Sequence, residues 1–324
     1  MSDHLCKEDI PEVQHVILLL TPLIEDHWRQ IVDRALQDLL HRLSRYRDDL
    51  PSANLDFIAR EPDVAKRRKA IEDLLFSLLG TLRLRTSTPF DDGLQQLVDR
   101  YSLGLLREGA SSLSLPFDVA SPRNGPLPIA AVEDLAFMVR SRIAQHEDEI
   151  LQLLTLYLTS QAIRQLSRSP LETVTQFKLS GVPRDLVTWK ESVAVALGAK
   201  VQTWIPYTVD LWAYRWFSVG AFSSAVENVS QTERIIAQAV LDFKTSKFCR
   251  WVNGRTISVR TVEGQMSSYL SAVRRSDLVG AKKAWPLLPS SSGTTEQFEA
   301  YAKDGIGLPP YHGHCRTVPV IVRA

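Results

Sequence analysis

The chain has 324 residues, 44% of them hydrophobic and 23% charged, and a net charge of +1. This is the composition of a globular protein long enough for two domains, and it excludes a disordered chain. The apolar run Val16 to Leu20 stops at Thr21-Pro22, far short of the roughly 18 to 20 residues that span a bilayer. No basic leader or small-residue cleavage site accompanies it, so neither a membrane segment nor a signal peptide is expected. Cys6, Cys249 and Cys315 are an odd number of thiols in a long chain, which argues against a disulfide scaffold and for a reducing, cytoplasmic compartment.

In chain order, the first 240 residues read as helix in nearly every window. Ile24, Trp28, Ile31, Ala35, Leu39 and Leu43 recur at spacings of three and four, which places them on one helical face. A second helix is expected after Pro62, with Ala65, Ile71, Leu74, Leu75, Leu78 and Leu79 apolar, ending near Gly80. A third starts near Pro89-Phe90-Asp91-Asp92, where the acidic pair suits a helix N-terminus, and runs through Leu94, Leu97, Val98, Tyr101, Leu105 and Leu106. From Ser111 to Pro128 the composition turns to Ser, Pro, Gly and Asn, which predicts a loop or linker. An apolar-periodic segment then runs from Ile129 to about Leu166, followed by helices over Leu171–Leu179, Arg184–Leu197 and Val209–Asn228. The rings in the last of these, Trp212, Tyr214, Trp216, Phe217 and Phe222, suit a packed core or a domain seam better than a base-stacking surface, and they are taken as the seam between the halves. The expected domains are a helical bundle over 1–112, a linker over 113–128, a long-helix region over 129–230 and a C-terminal domain over 231–324.

After Ser230 the texture changes. Ile235 to Phe243 is short and apolar, fitting a buried strand, although Ala and Gln leave a helix open. Asn253-Gly254 is a turn dipeptide, and Thr256 to Val262 alternates at period two as a strand does. A helix over Met266–Ala284, a loop over Pro286–Gly307 with a short helix near Glu296–Lys303, and a terminal strand over Val318–Val322 complete the expectation. The fold class predicted is a mainly α N-terminal region followed by a small α+β C-terminal domain. No repeat of 20 to 50 residues occurs.

Residues 244–324 carry 12 Lys or Arg against 5 Asp or Glu, a balance of +7 that leaves −6 for the rest. That asymmetry fits a C-terminal part that meets DNA or an acidic protein surface, or a solvated basic face. The same region holds two chemically distinctive segments. One is Lys244-Thr-Ser-Lys-Phe-Cys249-Arg250-Trp-Val-Asn-Gly254, and the other is Leu308-Pro309-Pro310-Tyr-His312-Gly-His314-Cys315-Arg316. They contain two of the three cysteines and are expected to meet in one site. Cys249, His312 and Cys315 are soft zinc ligands, and the His312-x-x-Cys315 spacing lets one turn present two of them, with His314, Asp242 or a water as fourth. The same residues allow a Cys249–Cys315 disulfide, or two buried thiols with His312 hydrogen-bonded beside them. A thiolate nucleophile at Cys249 with His312 or His314 as base is the enzymatic alternative, but no nucleophile signature surrounds it. Pro309-Pro310 fixes an extended entry to His312. Arg250 and Arg316, each directly after a cysteine, can brace carboxylates such as Asp242 or Asp304, or face phosphate. No phosphate-binding loop, His-Glu-x-x-His segment or serine elbow is present.

Thr245-x-x-x-Cys249-Arg250-x-x-x-Gly254 followed by Pro309-Pro310-x-His312-x-x-Cys315-Arg316 resembles the Mu F-like head-morphogenesis family of tailed-phage minor capsid proteins. In that family the first element usually has Cys-x-x-Cys and the second usually ends Cys-Arg-Cys; here the matching positions are Ser246 and Thr317, so a closed four-cysteine site cannot form. The resemblance covers roughly the last 80 residues by motif. It implies a non-enzymatic head protein of a phage or prophage, taking part in procapsid assembly, in contact with the portal or another capsid protein, packaged in the virion or associated with DNA. Two alternatives stay open: an effector or toxin-type enzyme using Cys249 and His312, and a bacterial scaffold that uses the C-terminal module to bind a partner.

Overall fold

The computed structural model describes residues 10–45, 60–80, 90–142, 144, 182–228, 233–243, 245–288, 293–313 and 315–323. In these residues the chain is mostly helical, with one two-stranded antiparallel sheet near the C-terminus, as the periodicity predicts. The expected helix over Leu171–Leu179 and the far part of the one from Ile129 lie outside the described residues.

Helix α1 spans Pro11–Arg45, and its buried residues Val13, Val16, Leu20, Ile24 and Trp28 follow the helical repeat. Helix α2, Val64–Gly80, begins where Asp63 Oδ1 accepts the amides of Ala65 and Lys66. Helix α3, Asp92–Ser111, is capped by Asp91, whose carboxylate accepts from Leu94 N at 2.8 Å. Residues 112–126 form turns, and α4 occupies residues 127–142. Within those turns, the buried Asn124 donates to Glu227 Oε2 at 2.9 Å and accepts from Ser223 Oγ.

Helix α5 is continuous over Val182–Asn228, where the sequence suggests two separate helices. Pro206 removes one amide donor, a change that costs roughly 3 kcal/mol in a helix interior. Burial of Trp204, Ile205, Val209, Leu211 and Trp212 on either side of it offsets that loss.

Contact density divides the chain into two compact units: Met1–Glu25, Pro89–Val139 and Gln202–Ala324 form the first, and Asp26–Thr88 with Arg140–Val201 the second. The core of the first unit is built on α5. Trp212, Tyr214, Trp216, Phe217 and Phe222 are all buried in it. Trp212 Nε1 donates to Ala131 O at 2.8 Å and Trp216 Nε1 to Asp134 Oδ2 at 2.9 Å, fastening α5 to α4.

Between α3 and α5 the backbones touch. A Cβ added to Gly220 would lie 2.1 Å from Leu106 O, and one added to Gly109 would lie 2.0 Å from Phe217 O. Neither neighbour can yield, because each is helix backbone. Gly220→Ala is therefore expected to force the helices apart and lower stability by about 1–3 kcal/mol, read as a lower denaturation midpoint. An unchanged midpoint would show that the two helices do not cross there.

The C-terminal elements are β1 (Glu233–Ala239), α6 (Lys247–Val252), α7 (Val259–Arg274), α8 (Leu278–Ala284), α9 (Thr295–Tyr301) and β2 (Thr317–Arg323). Both terminal strands form where expected. The strand predicted over Thr256–Val262 does not: only Thr256 and Ile257 make bridges, to Ile236 and Ile306, and the helix starts at Val259. Ser258 decides this, since its hydroxyl accepts from Thr261 N and caps α7. The single helix expected over Met266–Ala284 is two, because Ser276 takes a positive φ of 55° and Asp277 caps α8 by accepting from Gly280 N at 2.8 Å.

Helix α7 reaches the core through Tyr269. Its hydroxyl donates to Asp134 Oδ1 at 2.6 Å and accepts from Arg215, while Arg215 pairs with Asp134 Oδ2 at 2.9 Å. The Arg215 guanidinium also lies 4.5 Å from the Tyr269 ring centroid and 4.8 Å from that of Trp285, close enough for cation–π attraction. Burial pushes the Tyr269 phenol well above its ordinary value, so the hydroxyl stays protonated as Asp134's donor.

Candidate functional site

The β1–β2 register assembles the site. Glu233 faces Arg323 at one end of the ladder and Ala239 faces Thr317 at the other. The chain leaving β1 and the chain entering β2 therefore meet, and Val240 N donates onward to Arg316 O at 3.4 Å. The other edge of β1 is covered by the turn after α6: Gly254 N donates to Ala237 O and Ala237 N to Arg255 O, at 2.8 and 2.9 Å. Asn253 Oδ1 accepts from Ala239 N at 2.8 Å, and Gly254 takes a φ of +77° that suits glycine. Helix α6 is thus pinned against the sheet with Cys249 directed inward.

Ser246 caps α6, its hydroxyl accepting from Cys249 N at 3.1 Å. Cys249 Sγ lies 3.1 Å from His312 Nε2 and 3.7 Å from Cys315 Sγ. The three groups are 3%, 7% and 1% exposed in the order Cys249, His312, Cys315. His312 Nδ1 is 2.6 Å from Gly313 O; a carbonyl can only accept, so Nδ1 carries a proton. In the neutral ring, Nε2 then presents its lone pair to Cys249.

Thr317, at the start of β2, is buried as well. Its hydroxyl faces Cys249 closely enough to favour the thiolate, yet makes no hydrogen bond of full geometry among the described residues. The Cys249 thiol is brought down to about 7 by its hydrogen bond with Cys315, with the hydroxyls of Ser246 and Thr317 and the charge of Arg316 adding to this against the effect of burial. Burial, and the hydrogen bond with Cys249, push Cys315 well up.

The remaining motif residues form a brace around this centre. Arg316 pairs with Asp242 through two nitrogens, Nη1 reaching Oδ2 at 2.7 Å. Arg250 donates to the carbonyl oxygens of Asp242 and Thr245. Both arginines thus secure the β1–α6 turn, and Asp304 contributes its carbonyl to Thr261 instead. The Pro309–Pro310 bond is cis, and Pro310 O accepts from Trp285 Nε1 at 3.3 Å. Gln265 Oε1 accepts from Leu308 N at 2.9 Å, tying the same loop to α7. Behind the site Phe248 meets the rings of Tyr311, Phe298, Tyr301 and Trp251 at centroid distances of 5.0 to 5.6 Å.

The structure therefore brings Cys249, His312 and Cys315 together as ligand-bearing groups, their donor atoms all within 4.8 Å of one another. Asp242 is committed to Arg316 and Thr245 and is not a member of that group. His314 and Cys6 lie outside the described residues. Spacing alone could not show that Ser246 and Thr317 both turn toward the Cys249 sulfur. The buried Asp134–Arg215–Tyr269 cluster has no motif of its own; its one sequence signal is an ionisable residue at each of two positions within otherwise apolar helical faces.

No protein-family model, curated protein sequence or solved structure matches the chain.

Proposed function

We propose that the chain is a minor head protein of a phage or prophage, similar to the Mu F-like family, that takes part in procapsid assembly through contact with a portal or other capsid protein. The supporting observation is the convergence of the two motif segments. Residues 245–254 and 308–316, which carry the resemblance, meet around Cys249, His312 and Cys315; Arg316 braces the second segment to Asp242, and Arg250 secures the turn before α6. In this role the site is an architectural clasp that joins the two ends of the C-terminal region. The burial of all three side chains favours that role over nucleophilic chemistry, for which the Cys249–His312 contact would otherwise be the starting point.

The basic excess has an outlet at the surface. Arg274, Arg275, Lys282 and Lys283 are exposed around the α7–α8 junction, with Arg274 held by Glu133 at 3.1 Å. Such a patch suits an acidic partner surface or DNA. No described helix is long and apolar enough to cross a membrane. The test is co-expression with a phage portal protein, followed by size separation. A stable complex is expected, and it should weaken when Lys282 and Lys283 are replaced by Glu. Absence of a complex, with procapsids assembling normally without the chain, would overturn the proposal.

A further inference from the structure

The geometry points to a zinc site with three protein ligands, Cys249, His312 and Cys315, and a fourth position filled by a water that Thr317 holds. It does not depend on the role in head assembly. A tetrahedral centre with bonds of about 2.3 Å to sulfur and about 2.0 Å to imidazole sets its ligands about 3.8 Å apart for two sulfurs and about 3.5 Å apart for sulfur and nitrogen. Cys249 and Cys315 stand 3.7 Å apart, already at that edge. The Cys249–His312 contact of 3.1 Å would open by about 0.4 Å to match the same centre, and the three donor atoms all lie within 4.8 Å of one another, so His312 and Cys315 close on the metal as it binds.

Three further observations point to a cation. The first is His312, whose Nδ1–H is given to the Gly313 carbonyl. That is the outer hydrogen bond by which a metal-ligating histidine is held in its tautomer, leaving Nε2 free to coordinate. The second is Thr317, whose buried hydroxyl looks into the site and has no satisfied hydrogen bond among the described residues; a water bound to the metal would be its partner. The third is charge. Two thiolates and a neutral imidazole around Zn²⁺ sum to zero, and the nearby Arg316 is already balanced by Asp242. A neutral cluster can be buried as deeply as this one without the penalty of an unpaired ion. On binding, each thiol gives its proton to solvent and the sulfur lone pair goes to the metal, with no change of oxidation state.

Four-cysteine coordination is excluded, since Ser246 and Thr317 occupy the two adjacent places. The Ser246 hydroxyl is already engaged as the cap of α6. Thr317 is the residue that turns a closed site into one with a solvent-derived fourth ligand.

The experiment is titration of the full-length, metal-free protein with Co²⁺ and then Zn²⁺. One equivalent of Co²⁺ should give thiolate charge-transfer absorption in the near ultraviolet and intense tetrahedral d–d bands in the red, both abolished by Zn²⁺. At free Zn²⁺ a hundredfold above Kd the melting temperature should rise by about 5–10 °C. Thr317→Cys keeps the β-strand position and adds a third thiolate, so its charge-transfer band should be stronger and its Kd for Zn²⁺ at least tenfold lower. Because His312→Ala and Cys315→Ala can also disturb folding, the wild-type and Thr317→Cys spectra carry the test. A folded wild-type protein without tetrahedral cobalt bands, or a Thr317→Cys protein whose spectrum and affinity equal those of the wild type, would overturn the site.

Discussion

Asp134→Ala is expected to destabilise the first unit by about 3–5 kcal/mol, the range for breaking one partner out of a buried ion pair. Asp134 and Arg215 are both fully enclosed, so removal of the carboxylate leaves the guanidinium without a counter-charge where water cannot replace it. Trp216 Nε1 and the Tyr269 hydroxyl lose their acceptor at the same time, and each buried donor left unmade adds about 1–3 kcal/mol to the gross cost. Against a global stability of about 5–15 kcal/mol, this is enough to unfold a substantial fraction of molecules at moderate denaturant. The urea midpoint measures it. Asp134→Asn retains one acceptor oxygen and should fall between the wild type and Asp134→Ala. Replacing Asp134 and Arg215 together by apolar residues of similar volume should recover the part of the loss that comes from the stranded charge, while the Trp216 and Tyr269 donors left without Asp134 keep the double variant below the wild type. A midpoint for Asp134→Ala within about 0.5 kcal/mol of the wild type, the ordinary scatter of surface substitutions, would contradict the cluster.

Phe248→Ala should have a comparable effect by a different route. The Phe248 side chain is fully buried at the centre of four other rings, three of them edge-on. Its truncation removes the transfer energy of the ring and leaves a cavity between α6, α9 and the proline loop, at about 3–5 kcal/mol. Edge-to-face pairs account for roughly 0.5–1.5 kcal/mol each beyond burial, so Phe248→Leu should retain much but not all of the stability. In a thermal melt the alanine variant should lose on the order of 10 °C. The substitution also separates packing from chemistry: Phe248 is adjacent to Cys249 in α6 yet offers no ligand, so a loosened α6 should weaken metal binding while leaving the ligand set, and hence the cobalt band positions, unchanged. An alanine variant with wild-type melting would mean that the rings do not pack as described.

Much of this architecture is legible in the residues themselves. Asp63 and Asp91 announce the starts of α2 and α3, and the rings of α5 declare a buried helix by their spacing. The period-two alternation of Thr256 to Val262 misleads because a capping serine lies inside it. Once Ser258 accepts the Thr261 amide, a helix forms in which Val262 joins the buried face with Gln265, Tyr269 and Val273, and Val259 stands exposed. The break between α7 and α8 was signalled by Asp277, a capping residue in mid-helix, but apolar periodicity on both sides masks it. Helix continuity through Pro206 depends on tertiary burial, which no local rule contains.

The site divides in the same way. Cysteine and histidine identities mark the two segments, and the expectation that they meet rests on their chemistry alone. What brings them together is the pairing of Ala239 with Thr317, a long-range register set by which faces of two short strands are buried. The positions of Ser246 and Thr317 beside the sulfur follow from that register. So does the choice of Asp242 over Asp304 as the partner of Arg316, since Asp242 leaves β1 at the point where Arg316 enters β2. The Asp134–Arg215–Tyr269 cluster joins three helices distant in sequence, and only the packed fold shows which charges meet. The same holds for Gly109 and Gly220, each an unremarkable helix glycine until the other backbone arrives.

The segments around Cys249 and Cys315 close into one clasp, and thiol cross-linking is the sharpest check on it. Metal-free, folded protein is treated with diamide, alkylated, digested and mapped by mass spectrometry. With the sulfurs 3.7 Å apart, a small local movement reaches the roughly 2.05 Å bond of a disulfide. The predicted result is one dominant Cys249–Cys315 link, with Cys6 recovered as the alkylated thiol. Recovery of Cys249 and Cys315 as separate alkylated thiols, or linked to Cys6 in place of each other, would contradict it.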